Sequence, residues 1–265
     1  MNLHKLFLTN NACYKAGRII TTKGIMVHST GANNPLLSRY VAPDDGLLGE
    51  NIGGNHWNVR FPGGKSACVH AFIGKLSDGS IATYQTLPWN YRGWHAGGEA
   101  NDSYIGFEIC EDGLTDHAYF SAVYKEAVEL CVYLCRKFGL TEQDIICHSE
   151  GYKLGIASNH ADVMHWFPKY DKSMDTFRAV VKAALSEQED EDMTQDTFDK
   201  LMDAWQDQND PLYKTIDDVP SYWKDDATAL VKVGAIKGDG VNSFGVRRNV
   251  LKAAIINKRY ADSLR

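Results

Sequence analysis

The sequence predicts an α/β fold, a central mixed β-sheet flanked by helices, followed by a small C-terminal helical module. Three observations carry this expectation. Short β-branched or aromatic runs near residues 24–29, 68–74, 80–85, 103–110 and 144–148 read as strands. Two of them, 68–74 and 80–85, are joined by Leu76-Ser77-Asp78-Gly79, whose Asp-Gly pair accepts the backbone angles of a tight hairpin turn. From Tyr119 to Phe138, Val123, Ala127, Leu130, Val132 and Leu134 recur at helical spacing, and Gly139 stops the run. A further helix is expected from about Met174 to Leu185. Strands mixed with helices around a hairpin imply a mixed sheet with helices packed on it.

The chain then changes character. Ser186-Glu187-Gln188-Glu189-Asp190-Glu191-Asp192 is a charge run without an apolar anchor and reads as a solvated linker. The expected division is a domain over 1–185, a linker over 186–196 and a helical module over 197–265. In the tail, Phe198, Leu201, Met202 and Trp205 share one face of a helix running from Met193 to Gln208. Pro211 and Pro220 punctuate the chain after it. Trp223, Ala227 and Leu230-Val231 mark a helix ending at Gly234, and Val246 to Tyr260 marks another. Such a module is small enough to need docking or self-association for stability.

Composition narrows the function classes. At 265 residues, with 44% hydrophobic and 23% charged residues, the chain is that of an ordinary globular protein. No stretch reaches the length of an apolar membrane span. The N-terminal stretch Met1 to Asn10 has too short an apolar patch for a signal-peptide core, so synthesis in the cytoplasm is expected. Residues 1–185 carry 17 basic and 18 acidic side chains and residues 186–265 carry 11 and 16, so neither half has the basic stripe of a nucleic-acid binder. The six cysteines show no CxxC spacing and read as reduced thiols. Cys131 and Cys135, four apart on a helix, read as small apolar core residues. Cys147 is preferred as a core residue over a ligand.

Three segments end in residues that hold zinc elsewhere in proteins. Gly24-Ile25-Met26-Val27-His28 and Asp144-Ile145-Ile146-Cys147-His148 are apolar runs ending in His, and Asn159-His160-Ala161-Asp162 lies in a polar loop. Two imidazoles and one carboxylate leave a tetrahedral zinc with an open position, the arrangement of a hydrolytic site. Glu108, in the otherwise apolar Tyr104-Ile105-Gly106-Phe107-Glu108-Ile109-Cys110, is a carboxylate that needs a purpose or partner if buried, and the alternative is an edge-strand Glu facing solvent. Glu111 and Asp112 read as surface charges at the strand end. For His160 and Asp162, spacing leaves two arrangements open. Either Asp162 is the ligand and His160 faces the open position, or His160 is the ligand and Asp162 its partner.

Taken in order, His28-Ser29-Thr30, Trp94-His95-Ala96-Gly97, Ile105-Gly106-Phe107-Glu108 and the segment from His148 to Asp162 resemble the type 2 N-acetylmuramoyl-L-alanine amidases, a fold shared with phage amidases and peptidoglycan recognition proteins. The resemblance covers roughly residues 20–170. It implies one zinc ion held by His28, His148 and Asp162, with Glu108 as the proton-handling carboxylate. The family has Lys two residues before the third ligand. Here that position is His160, which keeps a donor for the developing oxyanion but makes activity more sensitive to pH. The resemblance also places His70, Trp94 and His95 near the cleft as substrate contacts, with a structural hydrogen bond an equal reading for His70. Of the aromatic residues Tyr84, Trp89, Tyr91 and Trp94, one or two are expected to touch ligand and the rest to pack. His165-Trp166 is expected to pack the Asp162 loop.

The implied activity is hydrolysis of the amide between N-acetylmuramic acid and L-alanine of peptidoglycan, by an endolysin or autolysin acting on the cell wall. Two other classes remain: a recognition module that binds muropeptides without cutting them, and a zinc peptidase acting on the stem peptide. A complete ligand set with Glu108 beside it favours the amidase. Pro220-Ser221-Tyr222-Trp223, Ala227, Gly234 to Gly238 and Phe244 to Arg248 loosely resemble one S-layer-homology-type repeat, which implies a secondary cell-wall polymer as a second partner. A packing or dimerisation module is the alternative.

Overall fold

A computed structural model describes residues 1–191, 195–238 and 244–264. The chain divides into two compact units, Met1–Gln188 and Glu189–Arg265. The first contains β1 (Leu3–Lys5), α1 (Ala12–Ala16), β2 (Gly24–Asn33), β3 (Ala71–Lys75), β4 (Ile81–Gln85), β5 (Tyr104–Glu111), α2 (His117–Phe138), β6 (Ile145–Cys147), α3 (His148–Lys153) and α4 (Met174–Glu191). Six strands form one sheet in the order β1-β4-β3-β5-β2-β6. The β3–β4 hairpin is antiparallel and every other pairing is parallel, so the sheet is mixed, as expected. The hairpin turns at Gly79, whose φ is 85°.

The sheet has two unlike faces. Ile25, Val27, Ile105, Phe107, Ile109 and Ile145 point to one of them and pack with α2 and α4 into the largest apolar core. The alternation of a strand sends their neighbours Met26, His28, Gly106, Glu108 and Cys110 to the other. Irregular chain covers much of that second face, with Leu37, Tyr40, Val41 and Leu48 packing on Phe72 and Tyr84. Helix α2 begins on an Asp116 cap, whose side chain accepts from the Tyr119 N–H, and ends at Gly139, φ 65°.

Several expectations are revised. Strand β1 was not anticipated, because its three residues carry no alternation; it pairs parallel with β4 through Leu3 and Thr83. The expected strand at 68–74 starts only at Ala71, since Cys68 leaves the sheet to pair with Trp94. The expected loop after His148 opens with helix α3. Helix α4 runs past Leu185 to Glu191, so part of the expected linker is helical; Glu and Gln are good helix formers. Residues 192–194 of that linker lie outside the described residues.

The second unit holds α5 (Gln195–Asn209), β7 (Leu212–Tyr213), α6 (Ser221–Lys232), β8 (Val246–Arg247) and α7 (Arg248–Ser263). The three tail helices fall where the apolar spacing predicted them, and a short antiparallel β7–β8 pair was not anticipated. Tyr213, Val219, Ala227, Leu230, Phe244, Leu251 and Ile255 form a separate small core.

Phe177 of α4 is fully buried and meets Tyr124 edge-on, with ring centroids 5.3 Å apart. Phe177→Ala should lower the stability of the first unit by about 3–5 kcal/mol, measured as a shift of the urea midpoint of the full chain followed by tryptophan fluorescence.

Candidate active site

The site is assembled by strand pairing. In the parallel β2–β5 register His28 lies directly opposite Glu108, so the two side chains emerge together on the loop-covered face. On the other side of β2, strand β6 ends at Cys147 and the chain turns at once into α3, whose first residue is His148. Glu150 fixes this turn. Its Oε2 accepts from the Cys147 N–H at 3.0 Å, and Arg178 of α4 donates to both of its oxygens at 3.0 Å. The loop beyond α3 returns to the site where the Ser149 N–H donates to the Asp162 carbonyl at 3.2 Å.

Three ligating atoms converge there. His28 Nδ1 lies 3.0 Å from Asp162 Oδ2 and 3.1 Å from His148 Nδ1, and His148 Nδ1 lies 3.7 Å from Asp162 Oδ2. Ligands at zinc's usual bond lengths, at tetrahedral angles, stand about 3.3–3.6 Å apart, so the set fits a small divalent cation. It is the group of three or more His, Cys, Asp or Glu among the described residues that offers such a cluster. Burial, and then the neighbouring His28, push His148 down to about 4, which keeps its ring in the neutral form that ligates.

Glu108 is half-buried, and its Oε2 is shielded from solvent without a hydrogen-bond partner among the described residues. Burial, and then the Asp162 and Glu111 carboxylates, raise its carboxyl well above the ordinary value. A carboxylate in this setting is a strong enough base to take a proton and a good enough acid to return it. His160 is exposed at the mouth, its ring centroid 4.8 Å from that of His148. The cleft has a volume of about 630 Å³ and is walled by Trp57, Lys65, Trp94, His160 and His165 around these groups.

The remaining expectations divide. Trp94 is 46% exposed on the cleft wall, with the Arg92 guanidinium 4.9 Å from its ring centroid. His95 lines the cleft, but both ring nitrogens are engaged: Nδ1 lies 2.9 Å from His28 Nε2 and Nε2 lies 3.1 Å from the Tyr104 carbonyl. His70 is fully buried and does not line the cleft. Its Nε2 donates to the Tyr91 carbonyl at 2.7 Å and its Nδ1 accepts from the Gly106 N–H at 3.1 Å, the structural bond that was the alternative reading. Tyr84 and Trp89 are core residues. Cys147 is buried, its Sγ 3.2 Å from Ser149 Oγ, and is not among the ligating atoms.

Glu111 is a correction. It is 5% exposed rather than a surface charge, and its Oε1 bonds His165 Nε2 at 2.9 Å and accepts from the Gly31 N–H at 3.1 Å. Continuing the alternation of β5 to its last residue was the only signal for it. Trp57, Lys65 and Ser158 were missed as cleft residues, since they sit in irregular chain with no periodicity to read.

Beyond its geometry, the fold is similar to that of PlyL, at 16% identity over 69% of this chain and 96% of that one, with a TM-score of 0.47. Similar figures relate it to the Staphylococcus aureus hydrolase AmiA solved with its ligand (20% identity, 69% and 82% covered, TM-score 0.47). The catalytic domain of XlyA follows at 24% identity, 68% and 99% covered, TM-score 0.46. No curated protein matches the sequence. The profile of the N-acetylmuramoyl-L-alanine amidases matches residues 18–169. That span takes in more than half of the chain and every strand that positions the cleft, and the chain therefore belongs to the N-acetylmuramoyl-L-alanine amidases, hydrolases of the amide that joins peptidoglycan's muramic acid to L-alanine.

Proposed function

We propose that the enzyme is a zinc amidase of the endolysin or autolysin kind, that His28, His148 and Asp162 hold the zinc, and that Glu108 and His160 carry the proton and charge handling. The observation that supports this most directly is the convergence of three ligating atoms beside a shielded, partnerless carboxylate oxygen. A zinc ion held by these three residues would supply Lewis-acid polarisation of a carbonyl oxygen and a lowered pKa of water. Glu108 takes the proton of the attacking water and returns it to the nitrogen of the departing L-alanine. Its raised proton affinity suits both steps. His160, at the mouth, donates to the amide oxygen as it becomes negative. Trp94 offers an exposed face to a sugar ring or peptide. Asp162, as the carboxylate of the ligand set, gives it a single negative charge, so a site holding a divalent cation would keep a net positive charge.

The second unit is proposed as a wall-anchoring module. Its support is the resemblance to one S-layer-homology-type repeat, and the ligand class is a secondary cell-wall polymer. No helix among the described residues is long and apolar enough to cross a membrane.

Glu108→Gln should lower kcat by about 10²–10⁴ while zinc content stays at the wild-type level. Mass spectrometry of digested peptidoglycan should show intact stem peptides with free N-terminal L-alanine for wild type alone. Cuts inside the stem peptide would instead indicate a peptidase, and zinc binding with no cleavage a recognition module. His160→Ala should cost about 10²–10³ in kcat, again with zinc retained, and His160→Lys should keep most of the activity. If the second unit anchors the enzyme, the full chain should sediment with intact cell walls and less with walls stripped of secondary polymer by acid; equal sedimentation rejects that ligand.

A further inference from the structure

The hydrogen bonds around the two imidazoles have a fixed direction. A carbonyl oxygen only accepts, so the His95 nitrogen 3.1 Å from the Tyr104 carbonyl, Nε2, must carry its proton. The other nitrogen of a neutral His95 ring is then bare and accepts, at 2.9 Å, from His28 Nε2–H. This leaves His28 Nδ1 as the bare atom, the one that faces Asp162 and His148. A second relay does the same for His148. The Ser158 hydroxyl donates to the Ala96 carbonyl at 3.1 Å, so its oxygen accepts from His148 Nε2–H at 3.3 Å, and His148 Nδ1 is bare.

Both relays involve one short stretch of chain, Trp94-His95-Ala96-Gly97: the first passes through the His95 ring to the Tyr104 carbonyl and the second ends on the Ala96 carbonyl, and the surroundings are shaped for it. A Cβ on Gly106 would stand 2.4 Å from His95 Nδ1, and a Cβ on Gly93 would stand 3.0 Å from His95 Cδ2. A Cβ on Gly97, whose φ is 66°, would stand 2.7 Å from Ser158 Oγ. Asn101 Oδ1, on a buried side chain, accepts from the N–H groups of His95 and Ala96 at 2.8 and 2.9 Å. The Ser158 N–H adds a further bond to the stretch, to the Ala96 carbonyl at 2.8 Å.

We propose that residues 94–97 are a template for the metal site, in which His95 and Ser158 are positioning residues that hold His28 and His148 in the tautomer presenting Nδ1. His95 thereby serves the metal rather than the substrate. Gly106 in the Ile-Gly-Phe-Glu stretch is required because the His95 ring lies on it. Fixing the tautomer in advance removes the need to reorganise two rings as the cation enters, and loss of such outer partners typically weakens metal binding about 10–100-fold. The inference rests on His28, His148 and Asp162 being a metal site.

The test uses the full-length protein, stripped of metal and titrated with Zn²⁺ against a chelator of known affinity, alongside ¹⁵N–¹H multiple-bond spectra that report which nitrogen of each ring is protonated. Wild type should show protons on Nε2 of both His28 and His148. His95→Leu should give mixed tautomers at His28, and Ser158→Ala mixed tautomers at His148, each with Zn²⁺ affinity reduced about 10–100-fold. His95→Asn, whose Oδ1 replaces the accepting Nδ1, should recover the affinity and the His28 tautomer. Unchanged tautomers and affinity in His95→Leu and Ser158→Ala overturn the template. Should His95→Leu fail to fold, Ser158→Ala and His95→Asn decide. Failure of wild type to bind Zn²⁺ would instead overturn the metal site itself.

Discussion

Two imidazole nitrogens and a carboxylate oxygen stand within 3.0–3.7 Å of one another; with both nitrogens bare, as proposed above, that arrangement is unfavourable until a cation neutralises it, and the rest of the fold is organised to impose it. The fold distributes the task over rigid parts. His28 is held inside a ten-residue central strand with pairing on both sides. His148 sits where β6 becomes α3, a junction clamped by Glu150 and Arg178. Asp162 is followed by Val163, Trp166 and Phe167, all buried in the main core. A cation bound at these residues would also stabilise the native state, since the unfolded chain offers no comparable site.

This explains why the sheet has unlike faces. The helix-covered face is filled with Ile, Val and Phe from β2 and β5 and contributes the cohesion. The opposite face carries His28, Gly106 and Glu108 on the same strands, and packing a helix there would seal the cleft. Irregular chain covers the neighbouring β3 and β4 instead and leaves β2 and β5 reachable by a large substrate. One strand pairing, β2 against β5, thus serves both cohesion and chemistry, and a one-residue slip would exchange Glu108 for Phe107 or Ile109 beside His28.

What the sequence disclosed follows the same division. His28, Glu108 and His148 were legible because each is a polar residue within or at the end of an apolar run, where burial without a purpose is costly. Helices α2, α6 and α7 were legible from spacing alone. Glu111, Ser158 and Trp57 were not, and for His70 the structural hydrogen bond was one of two equal readings. Their meaning lies in partners far along the chain, such as Glu111 with His165 and Ser158 with Ala96, and no local period encodes such a pairing. His95 is the instructive case. Its position in the cleft was anticipated, but its partners, His28 and the Tyr104 carbonyl, come from two other strands and turn it inward.

The choice of Asp162 over a thiolate as third candidate ligand fits the rest of the chain's chemistry. A thiolate is open to oxidation and a carboxylate is not. Five of the six cysteines follow the same logic, since they are buried. Burial raises Cys131 well above the ordinary thiol range and holds Cys110 there together with Glu108, while Cys135 is pushed up to about 12. Thiols held protonated in the core are poor nucleophiles and poor ligands. Even Cys147, adjacent in sequence to His148, is turned into the interior by the strand that presents its neighbour to the site. The protein therefore keeps five of its cysteines for packing and lines the candidate site with imidazole and carboxylate groups.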